Sequence, residues 1–138
     1  MTISTPMDSA AMTAAEFRCA TEALGLDQRA AAEALGVTER TVRRWIAGTQ
    51  AVPAGAVADL RRIEDRTARF VAEAVSALRC DEPDEGGARW VLTYGSDATY
   101  RRHHPDGDMP AAWHRTAMWR VAQEVPGVRL HYPVEVES

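Results

Sequence analysis

Apolar and polar positions alternate along the chain at helical spacing from Thr13 to about residue 80, and then the pattern changes. Thr13-Ala14-Ala15-Glu16 has the form of a capping box. Phe17, Ala20 and Leu24 follow on one helical face before Gly25, so a first helix is predicted here. Asp27 can cap a second helix with Ala31, Ala32 and Leu35 on its buried stripe, and Gly36 suits the left-handed residue that ends it. Thr38 can cap a third, which buries Val42, Trp45 and Ile46 and closes at Gly48. After Pro53, Val57, Leu60, Ile63, Phe70, Val71, Val75 and Leu78 keep a three-four rhythm, which predicts one long helix from about Ala54 to Arg79.

The acidic stretch 81–88 carries Pro83, Gly86 and Gly87, breaks any helix and reads as a linker. Beyond it, 89–94 is aromatic and β-branched and reads as a strand. Residues 96–103 and 110–124 read as helices, and 128–132 as a second strand. Strands this short are marginal alone, so this unit needs the long helix or a second copy to complete its core. The expected fold is mainly α: a disordered tail at 1–12, a helical domain with its long connecting helix at 13–80, the 81–88 linker, and a small α+β module at 89–138. Met12 is an alternative start.

Composition adjusts this picture only in places. The 138 residues make one modest domain or two very small ones. No apolar run is long enough to span a bilayer and the first residues lack a secretory pattern, so a cytoplasmic location with no membrane partner is expected. Cys19 and Cys80 have no paired spacing and are read as reduced. A net charge of -4 argues at first against a polyanion partner. The acid excess, however, lies entirely beyond residue 80: residues 1–80 hold ten arginines against ten acids, and 28–48 holds Arg29, Arg40, Arg43 and Arg44 against Glu33 and Glu39.

That window carries the functional signal. Two helices crossing steeply through a short turn need a small residue where the backbones approach, here Ala32, and a residue tolerant of positive φ in the turn, here Gly36. Leu35, Val37, Val42 and Trp45 would fill the wedge. The stretch Gln28 to Gly48 resembles the helix-turn-helix of the lambda-repressor-like (Cro/Xre) DNA-binding family, with the resemblance running from about Thr13 to Leu60. The alternative is a generic alanine-rich helical hairpin. Against it stands the outward face of the third helix, where Thr38, Glu39, Arg40, Thr41, Arg43 and Arg44 lie at the turns that enter a major groove.

Arginine reads guanine O6 and N7 bidentately, and the threonines can meet phosphate or a thymine methyl. The resemblance implies that Gln28, opening the second helix, contacts the DNA backbone or a flanking base. Glu39 departs from the neutral polar residue of many relatives and is read as an exposed acid paired with Arg43 rather than a reader of cytosine. Arg61, Arg62, Arg66 and Arg69 interleave with Glu64, Asp65 and Glu73 and are read as a solvated face.

In the last third, His103, His104, Asp106 and Asp108, with His114 and His131, are the only residues that suggest metal or hydrolytic chemistry. Adjacent histidines point apart, and no helix-borne His-Glu-x-x-His, paired cysteines, phosphate loop or nucleophile elbow accompanies them. No enzyme activity, cofactor or metal is therefore expected. A small metal-dependent hydrolase or nuclease remains the alternative from another class. Tyr100 to Asp106, Trp113-His114-Arg115 and the strand ending at Tyr132 resemble the C-terminal domain of the anti-CRISPR-associated autorepressors. That resemblance implies a dimerisation unit, with Trp113, Met118, Trp119 and Val121 offering an apolar face that core packing within one subunit would equally explain. The expected function is a homodimeric (auto)repressor that binds an inverted-repeat operator in double-stranded DNA through residues 38–47. The alternative within this class is an antitoxin whose C-terminal module binds a toxin as its protein partner.

Overall fold

The computed structural model describes residues 11–134. The expected tail at 1–12 falls outside these residues except for Ala11 and Met12, and Met12 packs against the N-terminal core. Six helices and two strands follow: α1 (Ala14–Ala23), α2 (Gln28–Leu35), α3 (Glu39–Ala47), α4 (Ala54–Cys80), β1 (Arg89–Leu92), α5 (Asp97–His103), α6 (Ala111–Glu124) and β2 (Val128–His131).

The first three helices begin where their caps predict. Thr13 Oγ1 accepts the Glu16 N–H at 3.0 Å while the Glu16 carboxylate accepts the Thr13 N–H at 2.9 Å, and these bonds hold the Glu16 pKa below the usual carboxylate value. Asp27 accepts the Ala30 N–H at 2.8 Å, and Thr38 accepts the Thr41 N–H at 3.2 Å. Phe17, Leu35, Val42, Trp45 and Leu60 then close one core, with the Phe17 and Trp45 rings edge to face at 5.5 Å.

The two strands pair in parallel, Arg89 opposite Val128 through Leu92 opposite His131. Parallel pairing needs a crossover, and α5 and α6 supply it. Each strand is shorter than its apolar run. The ladder ends with the Thr93 N–H donated to His131 O at 2.9 Å, leaving Tyr94 to pack beside α5 and Tyr132 beyond the sheet.

Helix α6 lies between α4 and the sheet, which is why Met118 and Val121 are buried within the subunit against Val71, Val75, Val91 and Leu130. Of the four residues offered as an apolar face, Trp113, Met118 and Val121 are buried within the subunit, the alternative that the sequence left open, while Trp119 is 62% exposed. The long helix completes the module's core. Residues 81–88, acidic in composition, form a turn organised by Asp84, whose carboxylate accepts from the Ala88 and Gly86 N–H groups and from Trp90 Nε1. Those bonds, the one from Ala88 first, lower the Asp84 pKa.

The N-terminal bundle and the C-terminal module share a seam. Met109 and Trp113 belong to the N-terminal core, and Trp113 Nε1 donates to the buried Thr67 Oγ1 at 2.9 Å. Gly25 has φ +71°, and a Cβ there would stand 2.5 Å from the Ala112 carbonyl oxygen. Only glycine meets both demands. Arg66 grips Asp108 with two donors from α4, lowering the Asp108 pKa and raising its own.

Candidate nucleic-acid interface

Helices α2 and α3 meet across a turn of three residues, 36–38. Gly36 takes φ 68°, ψ 33°, the left-handed conformation that lets the chain leave α2 and re-enter a helix within that span, and the Val37 N–H returns to Ala32 O at 3.0 Å. Ala32 is buried where the two helices approach. On α3, Val42 and Trp45 are buried and fix the helix's rotation. Trp45 Nε1 is buried with no hydrogen-bond partner, so packing rather than polar bonding holds this helix in place.

With that rotation fixed, Glu39, Arg40, Arg43 and Arg44 are left on the exposed side. Arg43 lies 3.8 Å from Glu39, the ion pair expected from their spacing, with both side chains about half exposed. Such a pair contributes little to stability and can open when a stronger anion arrives. Arg40 and Arg44, one helical turn apart, have no ion pair among the described residues. Thr38 and Thr41 join hydroxyl to hydroxyl at 3.0 Å, so part of their capacity serves the start of α3. Gln28 is exposed at the first position of α2. All seven sequence-predicted residues therefore fall on α2, on α3 or on the Thr38 cap, and none of the seven is in either core.

Arrangement and residue types together define a unit that can enter a groove: a rigid helix with three arginines, held by a second helix that crosses it. Residues 18–60 match the family model of the helix-turn-helix. This segment is a helix-turn-helix, a unit that supports a DNA-binding transcription regulator. The match takes in most of α1, all of α2 and α3, and the beginning of α4. No curated protein matches the chain.

The remaining candidates have other partners. Arg61 pairs with Glu64 at 2.9 Å and Arg62 with Asp59, in keeping with a charged face on α4, whereas Arg66 departs from that expectation and holds Asp108 across the seam. Among the described residues no group of three His, Cys, Asp or Glu side chains is placed to hold a metal, and no helix is long and apolar enough to cross a membrane. His104 Nε2 meets the Tyr94 hydroxyl at 2.9 Å, Asp108 is taken by Arg66, and His103 and Asp106 are exposed. His114 is buried, with Nδ1 at 2.9 Å from Thr93 Oγ1 and its ring among Tyr94, Tyr100 and His104. Burial, and secondarily the neighbouring His104, pushes its pKa down to about 4.

What sequence reasoning missed is the seam. Nothing in the pattern around Gly25, Thr67 or Trp113 distinguishes a contact between distant parts of the chain from an ordinary helix end or core position.

Proposed function

We propose that the protein is a sequence-specific transcriptional repressor that binds as a homodimer to an inverted-repeat operator, with residues 38–47 of each protomer in successive major grooves. Arg40, Arg43 and Arg44 would read base edges or clamp phosphates. Thr38, Thr41 and Gln28 would set the register on the backbone, and Glu39 would release Arg43 as DNA docks. The observation that carries this reading is the rotation of α3, which buries Val42 and Trp45 and leaves all three arginines outside.

Two features support the dimer. Trp90, Leu92, Tyr132 and Val134 are large apolar residues left 56%, 38%, 59% and 88% exposed in the same module. Among the described residues the sheet to which the first two belong has two strands, and both its edges are unpaired there. Residues 13–80 would then read DNA and residues 89–138 would join the protomers, in a cytoplasmic protein that needs no cofactor. Occlusion of its own promoter is the simplest route to repression. In vitro selection of DNA fragments by the full chain, followed by footprinting, tests the assignment. The expected product is an inverted repeat with half-sites about one helical turn, roughly 10 base pairs, apart. Recovery of unrelated fragments without a shared motif would contradict it.

A further inference from the structure

The covalent link from α1, α2 and α3 to the C-terminal module is α4. At about 1.5 Å per residue its 27 residues run roughly 40 Å, with Leu60 in the first core and Val71 and Val75 in the second. Sharp bends in helices come from proline, glycine or an inserted residue, and α4 has no proline and a single glycine, Gly55, in its first turn. The 81–88 turn adds no freedom between the two parts, because Leu78 before it and Val91 after it pack into the same core.

Contacts that return from the module remove the freedom that a helix alone would leave. Phe70 packs against both cores, and its ring centre lies 5.0 Å from that of Trp113. Trp113 reaches the N-terminal core from α6 and donates to Thr67, Gly25 meets the Ala112 backbone with no room for a Cβ, and Arg66 holds Asp108 with two donors. Units that share a buried apolar seam move as one body, whereas units joined by a flexible link reorient freely. Val42 and Trp45 in turn fix α3 to this body.

We infer that the seam sets the spacing of the operator. In a homodimer joined through the C-terminal modules, the two copies of α3 then stand at one separation and one mutual rotation. A base pair added between the half-sites displaces one of them by about 3.4 Å along the DNA axis and turns it by roughly 34° about that axis. A rigid protein cannot follow that rotation, so one half-site loses its contacts. Arg66, Thr67, Asp108 and Trp113 are thus positioning residues, which act on recognition through the placement of α3 and without touching DNA. The consequence for the operator rests on the homodimeric DNA-binding reading above, whereas the rigidity does not.

Rigidity is tested without DNA by electron paramagnetic resonance distance measurement in the full chain. Spin labels go on the exposed Cys19 of α1 and on Gln123→Cys of α6, with Cys80→Ser to remove the other thiol and unlabelled chain in excess to isolate distances within one protomer. One narrow distance distribution is expected, and a broad or multiple distribution would overturn the inference whatever the chain does with DNA.

Titration of the selected operator and of versions with one base pair inserted or removed between the half-sites then tests the spacing. The wild-type chain should lose at least about thirtyfold in affinity at either altered spacing. Arg66→Ala plus Thr67→Val, which takes away the two polar ties across the seam, should broaden the distance distribution and reduce that spacing penalty at least about fivefold. A merely structural role would weaken binding to all three DNAs alike, so an unchanged penalty in a folded double variant would overturn the positioning role. Wild-type affinities within about threefold of one another at all spacings would overturn the spacing claim. A narrow distance distribution in a chain that engages no DNA would uphold the rigid body while the DNA-binding reading, and the spacing with it, failed.

Discussion

The two cores of this protein are built on different principles. In the N-terminal bundle, α3 packs against both α1 and α2, helices close in sequence that each carry their own cap and buried stripe, and Met109 and Trp113 join them from the C-terminal module. The C-terminal core instead draws Val71 and Val75 from α4, Val121 from α6 and Val91 and Leu130 from the two strands, pieces that meet only when the crossover is complete. Local signals suffice for the helices of the first, while the second depends throughout on contacts between distant segments. The proposed DNA-reading residues occupy a short stretch of the bundle, 28–44, where local signals are strongest.

The sharpest way to break the contrast is Trp113→Ala, because this residue of α6 fills the N-terminal core and donates to Thr67. A loss of about 3–5 kcal/mol is expected, with both units melting together in one calorimetric transition. Two separate transitions would mean that the units fold independently. Gly25→Ala comes next, at about 2–4 kcal/mol, because it adds a backbone clash with Ala112 to the strain of positive φ. Gly36→Ala faces open space and carries only the strain, about 1 kcal/mol, so the difference between the two midpoints in urea measures the seam itself.

A third test uses pH. His114 has its pKa depressed in the folded state, from an ordinary 6.5 to about 4. Between these values the unfolded chain binds more protons than the folded one, so this group's contribution is full above about pH 6.5 and is lost as pH falls toward 4. Stability at pH 5 should be lower than at pH 8 by about 2 kcal/mol from this residue, and His114→Gln should flatten the dependence of Tm on pH in that window. The smallest expected effect is Thr38→Ala, about 1 kcal/mol from the lost cap of α3, read from the urea midpoint.

The fold and the candidate site were legible in the sequence to different degrees. Thr13, Asp27 and Thr38 announce helix starts through chemistry confined to three or four residues, and Gly36 announces the turn through a backbone conformation few other residues adopt. The outward arginines follow once Val42 and Trp45 are known to be buried. Trp113, Met118 and Val121 could not be assigned in this way, because periodicity shows that a face is apolar and not whether it meets its own chain or a second copy. The parallel pairing of the strands and the closeness of Gly25 to Ala112 are likewise consequences of the crossover, with no local signature.

The proposed function requires that α3 read DNA through its outward arginines. The most direct measurement is a fluorescence-anisotropy titration of the DNA immediately upstream of the coding sequence, at two salt concentrations, with the wild-type chain and with Arg43→Ala plus Arg44→Ala. Saturable wild-type binding that weakens steeply with salt and resists scrambled competitor is expected, with a loss of at least about a hundredfold in the double variant and its circular dichroism unchanged. Equal binding by both proteins, or no binding by either at low salt, would contradict it.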